Sequence, residues 1–367
     1  MPPKPAFPPL TVRSIRAVGV EVPMTYALGT SRGRIVKAPL LLIDVATGEG
    51  VTGRSYVWSY FPQAMTAIAS ILGAVEEHVR SRRIDPGALW ASLAERFGLI
   101  GVQGIVRMAM AGFDVACWDA LAQAAGVPLA RMAGAEPRRI PAYNSCGLGL
   151  MPLDALAGEA EKLLAGGFRA VKLRLGYPTL KEDLDAVHAV KRRIPAGTAL
   201  MVDYNQALSL DEALARGRAL DREDLAWLEE PIRHDDYAGA AMLARELDLP
   251  VQIGENFSLL AGMTAALDAS ACDLVMPDLE RIGGVSGFLA AAKLADARKI
   301  KMSSHLYPEA SAHLLAATPT CHYLEYVDWA APLLRDPLRI EDGHAVIPDA
   351  PGSGVVWDDK AVERYRV

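Results

Sequence analysis

The stretch AVKLRLGYP, residues 170–178, has the pattern of a buried β-strand that carries two cations. Apolar residues alternate with Lys172 and Arg174, and in a strand this spacing places both cations on one face. Two cations side by side in a core strand repel each other and lose their hydration. The pair therefore predicts an anion beside it, and a strand that belongs to a functional site.

Around this stretch, residues 140–330 alternate short apolar segments with Ala-rich amphipathic helices. Alternation of strand and helix predicts parallel pairing, and eight such units predict an α/β fold of the TIM-barrel type. An open doubly wound sheet is the alternative, less favoured because no G-x-G-x-x-G follows the first strand. The eight predicted strands are PAYNSC, AVKLRL, ALMVDYN, LAWLEEP, VQIGEN, DLVMPD, IKMSSH and YLEYV.

The two ends of the chain have a different pattern. Residues 1–135 predict an α+β domain, with β-rich segments followed by helices of 3.6-residue periodicity. Within it, TYALGTSRGRIVKAP is Gly-rich and polar, which predicts a mobile loop that closes over a pocket. We therefore divide the chain into an N-terminal domain (1–135), a barrel (136–330) and a β-rich C-terminal segment (331–367) that returns to the N-terminal domain.

Composition limits the function classes. The 367 residues suffice for a large core and more than one domain, and the net charge of −6 argues against nucleic acid or an anionic membrane as the main partner. No apolar run reaches the ~18 residues of a transmembrane helix. The opening MPPKPAFPPL predicts a loose leader rather than a signal peptide. The four cysteines form no CxxC, which predicts reduced thiols and a cytoplasmic protein.

Acids and one histidine close most of the predicted barrel strands. Their spacing of 26, 26, 23, 27 and 20 residues corresponds to one βα unit each. Each side chain should therefore occupy the same place in successive units, at the C-terminal mouth where barrel enzymes have their active sites. These residues are Asp203, Glu229, Glu255, Asp278, His305 and Glu325.

Asp203, Glu229 and Glu255 belong to three adjacent strands, and converging carboxylates need a cation between them. All-oxygen ligation favours a hard ion, Mg²⁺ with Mn²⁺ as a substitute. No Cys/His cluster in the sequence indicates structural zinc. The alternative is that the acids merely cap the following helices, which is the weaker interpretation for three acids in register.

His305 next to Asp278 has the pattern of a general base with its orienting carboxylate. Glu325 would face the same centre as a protonated or hydrogen-bonded acid. Lys172 and Arg174 would bind a substrate carboxylate held by the metal, and the metal and Lys172 would stabilise the enediolate formed when the α-proton leaves. The alternative for the two cations is a structural ion pair with barrel acids. The other histidines are interpreted as surface or packing residues.

Nearly the whole chain, from VEVPMTYALGT to AVIPDAPGSGV, resembles the enolase superfamily, mandelate racemase subgroup. The motifs that carry the resemblance are AGFDVACWDAL, GFRAVKLRLGYP, MVDYNQ, WLEEP, QIGEN, MPDLERIGGV and MSSHLYPEASAHLLAATPTCHYLE. The resemblance implies an α+β capping domain, a modified (β/α)7β barrel and a homo-oligomer, commonly an octamer.

The resemblance also assigns roles. It implies that the three strand-end acids named above bind Mg²⁺, that the His–Asp pair is the general acid/base dyad, and that Glu325 and Lys172 contact the substrate carboxylate. Further positions match polar and apolar parts of a substrate pocket. These substrate-binding positions are Asn205, Ser145, Leu28, Trp58, Tyr60, Leu306 and Val327.

One position departs from the subgroup, because Arg174 stands where its racemase has a second lysine base. An arginine side chain has a pKa of roughly 12.5–13.8, so deprotonating it near pH 7 costs on the order of 8 kcal/mol. An efficient two-base racemase is therefore disfavoured, and His305 should be the one strong base.

Three functions follow from these residues. The first is a Mg²⁺-dependent isomerase of the racemase or epimerase type, which abstracts the α-proton of a small-molecule 2-hydroxycarboxylate; the apolar pocket favours it. The second is a hydro-lyase, an acid-sugar dehydratase that gives a 2-keto-3-deoxy acid; Arg174 favours it, and a scarcity of polar pocket side chains opposes it. The third, a non-catalytic binder of a metal–carboxylate complex, is disfavoured by the complete dyad.

Overall fold

The computed structural model describes residues 7–367, so most of the predicted leader lies outside the described residues. Its strands are β1 (Val12–Thr30), β2 (Gly33–Thr47), β3 (Thr52–Trp58), β4 (Arg139–Asn144), β5 (Ala170–Arg174), β6 (Ala199–Asp203), β7 (Leu228–Glu229), β8 (Val251–Ile253), β9 (Leu274–Val275), β10 (Lys301–Met302), β11 (Leu324–Tyr326), β12 (Arg339–Glu341) and β13 (His344–Val346).

Its helices are α1 (Pro62–Val79), α2 (Pro86–Arg96), α3 (Gly104–Ala124), α4 (Leu129–Met132), α5 (Leu153–Leu164), α6 (Leu180–Lys191), α7 (Leu210–Leu220), α8 (Tyr237–Glu246), α9 (Leu259–Asp268), α10 (Gly284–Arg298), α11 (Pro308–Ala316) and α12 (Asp359–Tyr365). In the described part of the chain, none of these helices has both the length and the apolarity to cross a membrane.

The N-terminal domain is an antiparallel sheet, β1-β2-β3, covered by helices. Helix α3 packs directly on β3, where a Cβ added at Gly53 would lie 1.9 Å from the carbonyl oxygen of Ala116. Glycine at position 53 therefore permits the close approach of helix and sheet. The whole of 109–122 in α3 is buried, which makes this helix the centre of the domain.

The segment 25–39, predicted to be a mobile loop that closes over a pocket, is a β-hairpin formed by the ends of β1 and β2, so the prediction of an irregular backbone is wrong. Its register pairs Leu28 with Ile35 and Thr30 with Gly33, after a shift that begins at Pro23. Polar composition and glycine favour a loop, but the backbone groups of the two arms pair regardless of side-chain polarity. The hairpin tip lies over the barrel.

The barrel contains all eight predicted strands in the predicted order, and that prediction is confirmed. Strands β4 to β10 form one parallel sheet, and β11 pairs with β4 on its other side. Hydrogen bonds from Met302 N to Thr320 O and from His322 N to Met302 O close the gap between β10 and the segment before β11. Helices α5 to α11 connect the strands, which gives the (β/α)7β arrangement.

The C-terminal segment contacts both parts of the molecule. Its hairpin β12-β13 extends the barrel sheet by antiparallel pairing of β13 with β4. The residues beyond it run along the capping domain, where the Trp357 indole donates to Asp44 at 2.8 Å and the Val367 amide donates to Gly19 O at 3.1 Å. The segment thereby holds the capping domain on the barrel.

We expect His313 to make the fold sensitive to acid. Its ring is fully buried, Nδ1 accepts the Ala130 amide at 3.1 Å, and burial lowers its pKa to about 4. Because the unfolded chain takes up this proton near pH 6.5 and the folded chain does not, stability falls as the pH drops from 6.5 to 4, by up to ~3 kcal/mol. In urea unfolding, the free energy of unfolding of His313→Gln should fall less between pH 6.5 and pH 4 than that of wild type, whereas that of His344→Gln, at a partly exposed position, should fall as in wild type. An equal fall for His313→Gln and wild type would contradict this expectation.

Candidate active site

The strand ends of the barrel bring charged side chains to one level. In the sheet register, Arg174 is paired with Asp203, and Asp203 with Glu229. In a parallel sheet, paired residues point to the same side, so these side chains face the barrel interior together. The carboxyl ends of the strands therefore form the charged mouth that their spacing along the chain predicts.

A cavity of about 240 Å³ lies at this mouth, between the barrel and the capping domain. Eleven of the residues predicted for the site line it. They are Leu28, Trp58, Tyr60, Lys172, Arg174, Asp203, Asn205, Glu255, His305, Leu306 and Glu325.

Four predicted residues do not line the cavity. Glu229 and Asp278 lie just behind the lining, where they contact Lys172 and His305. Ser145 is fully buried and its hydroxyl accepts a hydrogen bond from Arg174 at 3.0 Å, so it supports the guanidinium rather than facing the cavity. Val327 is buried outside the lining. The strand on which each residue lies can be predicted from the sequence, but not whether another side chain separates it from the cavity.

Lys172 is held by three carboxylates in the barrel interior. Its Nζ lies 2.5 Å from Glu229, 2.9 Å from Glu325 and 3.2 Å from Asp203. Burial lowers the pKa of this lysine, but the charges of Glu229 and Glu325 outweigh burial and raise it well above the ordinary value. Lys172 is therefore a fixed cation. The anions that contact Lys172 include barrel acids, as in the alternative of a structural ion pair.

Arg174 has a different environment, because its guanidinium meets only neutral oxygens in its hydrogen bonds. It donates to Gly147 O at 2.7 Å, to Ser145 O at 3.2 Å and to the Ser145 hydroxyl. Its Nε is buried and has no hydrogen-bond partner among the described residues. Since Arg174 also lines the cavity, its charge is available to a ligand there.

The part of the mouth around Asp203, Glu230 and Glu255 carries an excess of negative charge. Asn205 donates to both oxygens of Asp203, at 2.7 and 2.9 Å, and Asn256 bridges Glu230 and Glu255 at 2.9 and 3.0 Å. Burial and the charges of Glu255 and Asp203 raise the pKa of Glu230 well above its usual range. Sequence reasoning missed Glu230, although the second acid of WLEEP is a signal for it.

These carboxylates do not form a ready-made metal cage. Among residues 7–367, no three Asp, Glu, His or Cys side chains have the spacing of a metal site. Lys172 holds Asp203 and Glu229, whereas Glu255 turns to His305. The donor chemistry nevertheless fits a hard divalent cation, because the donors are all oxygen and a buried oxygen of Glu230 has no partner among the described residues.

His305 and Asp278 form the expected pair, with Nδ1 of the imidazole 2.7 Å from a carboxylate oxygen. The other oxygen of Asp278 accepts the amides of Glu280 and Arg281, which fixes its orientation. On the cavity side, His305 Nε2 lies 3.2 Å from Glu255. Burial lowers the pKa of His305, but the negative charges of Glu255 and Glu325 outweigh burial and raise it well above its ordinary value. Nε2 is the ring nitrogen that faces the cavity. Because Glu255 is the largest cause of the raised pKa, neutralisation of the Glu255 charge would free Nε2 to accept a proton.

Glu325 lies between the two cationic groups. It contacts Lys172, lies 3.8 Å from His305 Nε2, and accepts the Leu306 amide at 2.9 Å. Burial raises its pKa, yet Lys172 and His305 outweigh burial and lower it to about 2. In this arrangement Glu325 is therefore ionised, rather than the protonated acid that the sequence offered as one alternative.

Several residues of the lining were not predicted. Arg281 donates to Glu255 O at 2.8 Å and to the Tyr60 hydroxyl at 2.5 Å, and it belongs to the MPDLERIGGV motif that already indicated the site. Trp329 stacks on Trp58 with ring centroids 4.5 Å apart. Its indole Nε1 is buried without a partner among the described residues.

The hairpin tip of the capping domain covers the cavity. Arg32 donates to Asn205 O at 3.4 Å and to Gln206 O at 3.2 Å, and Leu150 N donates to Gly29 O at 3.0 Å. Leu150 belongs to the loop that follows β4, whereas Asn205 and Gln206 belong to the loop that follows β6, the strand of Asp203. No local sequence signal connects Arg32 to this loop, since the two are more than 170 positions apart.

Two family models match most of the chain. Residues 12–134 match the mandelate racemase / muconate lactonizing enzyme N-terminal domain, and residues 155–361 match the enolase C-terminal domain-like model. The chain therefore belongs to the mandelate racemase / muconate lactonizing enzyme family of the enolase superfamily.

Individual relatives in this family differ in reaction. A Streptomyces coelicolor 3,6-anhydro-alpha-L-galactonate cycloisomerase is 31% identical, with 97% of this chain and 99% of that protein covered. A Salmonella typhimurium L-talarate/galactarate dehydratase is 30% identical, with 89% and 82% covered. A Bradyrhizobium enolase structure complexed with magnesium and mandelic acid is 37% identical, with a TM-score of 0.94 and 99% and 100% covered. The relatives thus include both isomerases and dehydratases.

Proposed function

We propose that this enzyme is an acid-sugar dehydratase, which removes the α-proton of a polyhydroxy carboxylate and expels the 3-hydroxyl as water. His305 takes the proton from C2, the bond from C3 to its hydroxyl oxygen breaks, and the same imidazole returns the proton to the leaving oxygen. The enol product then tautomerises to a 2-keto-3-deoxy acid. One base on one face suffices for this reaction, and among residues 7–367 one histidine lines the cavity.

The observation that carries the proposal is the set of unpartnered polar atoms in the lining. Arg174 Nε, Trp329 Nε1 and Asn205 Oδ1 are buried without hydrogen-bond partners among the described residues. Buried polar groups are costly when unpaired, so a substrate that supplies hydroxyl groups gains by pairing them. Thr30, Gln206 and Asn256 also line the cavity, so the expected scarcity of polar pocket side chains is wrong.

Lys172 and Arg174 support the same chemistry as fixed cations. As the α-proton leaves, negative charge develops on the substrate carboxylate, and a lysine already charged and desolvated stabilises it without reorganisation. Arg174 is anchored by the 145–147 backbone and is ill suited to accept a proton. Both cations therefore bind and stabilise, and His305 alone moves protons.

We further propose Mg²⁺ as the cofactor, held by Asp203, Glu229 and Glu255 with Glu230 close by. The excess of buried carboxylates supports this assignment, as does magnesium in the Bradyrhizobium structure. When bound, Mg²⁺ would neutralise these acids and polarise the substrate carboxylate, which makes the α-proton more acidic. A homo-oligomer remains a prediction from the family resemblance.

A second candidate is racemisation or epimerisation of an aryl 2-hydroxycarboxylate. The apolar part of the lining favours it, because Trp58, Trp329, Leu28 and Leu306 form a wall suited to a ring. The mandelic acid in the Bradyrhizobium structure supports the same substrate type. Arg174 weighs against it, since the second face of the substrate then meets a cation rather than a base.

Proton NMR in D₂O with Mg²⁺ tests the two candidates directly, with separate mandelate enantiomers and a panel of acid sugars as substrates. Formation of a 2-keto-3-deoxy product from an acid sugar is the expected result. Loss of the α-proton signal from both mandelate enantiomers, without dehydration of any sugar, would replace the first candidate by the second. Absence of exchange and of dehydration throughout would reject both.

Replacement of a proposed metal ligand should weaken Mg²⁺ binding. Glu255→Gln keeps the side-chain size but removes a charge, so we expect the Mg²⁺ dissociation constant in titration calorimetry to rise at least about tenfold. Glu309→Gln is the control, because Glu309 is a buried glutamate that lies outside the cavity lining and accepts a hydrogen bond from Tyr56. Equal affinities for Glu255→Gln and the control would contradict the assigned site.

Arg174→Lys should create or raise racemisation of mandelate. A lysine beside the Lys172 cation can lose its proton near neutral pH more readily than an arginine can. The measurement is polarimetry of each enantiomer with Mg²⁺. A rate identical to wild type would mean that position 174 does not face the reacting carbon.

A further inference from the structure

A buried carboxyl group joins the acid/base dyad to the capping domain and has no part in the reaction proposed above. We propose that Glu280 is a positioning residue. It holds Trp58, the capping-domain wall of the cavity, against the two loops that carry Asp278 and His305. Its effect on turnover rests on the proposed function, whereas its effect on the wall does not.

The first contact follows from the turn after β9. One oxygen of Asp278 accepts the amides of Glu280 and Arg281, at 2.9 and 3.0 Å, while the other pairs with His305. The turn built on Asp278 directs the Glu280 side chain inward, where it is buried. Because the Glu280 amide is one of these donors, a displacement of the Glu280 backbone acts on the carboxylate that orients the imidazole.

The second contact comes from the loop after β10. Tyr307 stands two residues beyond His305, and both Leu306 and Tyr307 have left-handed backbones with φ of 51° and 50°. The Tyr307 hydroxyl donates a hydrogen bond to Glu280. Left-handed φ at two successive non-glycine residues costs free energy, and this hydrogen bond is one of the contacts that offset it.

The third contact reaches the capping domain at the end of β3. The Trp58 amide lies 2.9 Å from the Tyr307 hydroxyl and 3.2 Å from a Glu280 oxygen. The Trp58 indole packs on Trp329 and Tyr60, which also line the cavity. Glu280 thus shares one hydrogen-bond network with the cavity wall and with both loops of the dyad.

The chemistry of Glu280 suits a structural link. Burial and the neighbouring charge of Asp278 raise its pKa to about 8, although Arg281 and the hydrogen bond from Tyr307 oppose the shift. A carboxyl group that holds its proton near neutral pH accepts hydrogen bonds without placing a second full charge beside the dyad. An apolar side chain of similar size would leave the Tyr307 hydroxyl without its acceptor.

A comparable pair offers a matched control. Tyr56, two residues before Trp58 on β3, donates to the buried Glu309 at 2.6 Å. This pair also joins the capping domain to the barrel, but neither residue lines the cavity. Loss of this hydrogen bond should lower stability without moving the Trp58 wall.

The test is amide hydrogen–deuterium exchange at Trp58, measured by mass spectrometry on the full-length protein. Glu280→Leu and Tyr307→Phe should speed exchange by about tenfold or more relative to wild type. Glu280→Gln keeps a neutral acceptor and should stay close to wild type, as should Tyr56→Phe. Unchanged exchange in Tyr307→Phe, or equal acceleration in Tyr56→Phe, would overturn the proposal even if Glu280→Leu failed to fold.

A second readout links the wall to binding, with mandelate and Mg²⁺ as the probe and tryptophan fluorescence as the signal. We expect Glu280→Leu and Tyr307→Phe to weaken mandelate binding, and Glu280→Gln to restore it. If amide exchange responds as expected but wild type turns over no hydroxy acid, the proposed function fails while the positioning role stands. If amide exchange does not respond, the positioning role fails whatever the activity.

Discussion

His305→Asn is expected to lose α-proton exchange by at least about 10³-fold, because the variant removes the imidazole proposed as the base. Asparagine retains an amide that can donate to Asp278, so the local hydrogen bond and the loop after β10 should persist. Exchange of the substrate α-proton in D₂O, followed by NMR with Mg²⁺, is the measurement.

The control for this variant is His322→Gln. His322 lies outside the cavity lining, and its ring is 3.4 Å from the Ser303 hydroxyl. We expect normal exchange in the control and unchanged Mg²⁺ affinity in both proteins. Exchange retained by His305→Asn at the wild-type rate would refute the assignment of the base.

Lys172→Met is expected to destabilise the metal-free protein by roughly 3–5 kcal/mol, the cost of removing one partner from a buried ion pair. Asp203, Glu229 and Glu325 lose the cation that all three contact, and none of them is exposed enough to be solvated instead. Methionine preserves the length of the side chain, so the effect is mainly electrostatic.

Addition of Mg²⁺ should recover part of this loss, because a divalent cation bound to Asp203 and Glu229 compensates the same carboxylates. Urea unfolding with and without Mg²⁺ measures both effects, and Lys181→Met on the exposed face of α6 serves as the control. A metal-free Lys172→Met protein as stable as wild type would mean that the carboxylates do not need this lysine. A loss that Mg²⁺ leaves unchanged would argue against a shared site for the two cations.

Much of the architecture could be predicted because it repeats along the chain. The barrel strands recur at intervals of one βα unit, and each ends in a residue that parallel pairing carries to the same mouth. The sequence therefore sufficed for the eight strands and for the pairing of His305 with Asp278, whereas contact of Lys172 with the barrel acids was only the less favoured alternative. Periodicity and strand direction depend on residues that are close together in the chain, so both can be inferred from the sequence.

The hairpin at 25–39 and the polar lining were predicted wrongly for a related reason. Composition indicated a loop, but backbone hydrogen bonds between β1 and β2 are independent of side-chain polarity. The pocket was expected to be apolar because the residues matched to it were largely apolar. Thr30 and Arg32 belong to the 25–39 segment and Gln206 follows Asn205, but none of these three residues was assigned to the lining.

By itself, then, the sequence determined the family fold, the positions of the strand-end acids and the pairing of His305 with Asp278. Only the tertiary structure decided that Lys172 pairs with three carboxylates while Arg174 faces neutral oxygens, and that Glu280, Tyr307 and Trp58 share a hydrogen-bond network. Trp58 and Tyr307 are 249 positions apart. Contacts of this kind depend on how the capping domain packs on the barrel, and such packing leaves no period in the sequence from which it could be inferred.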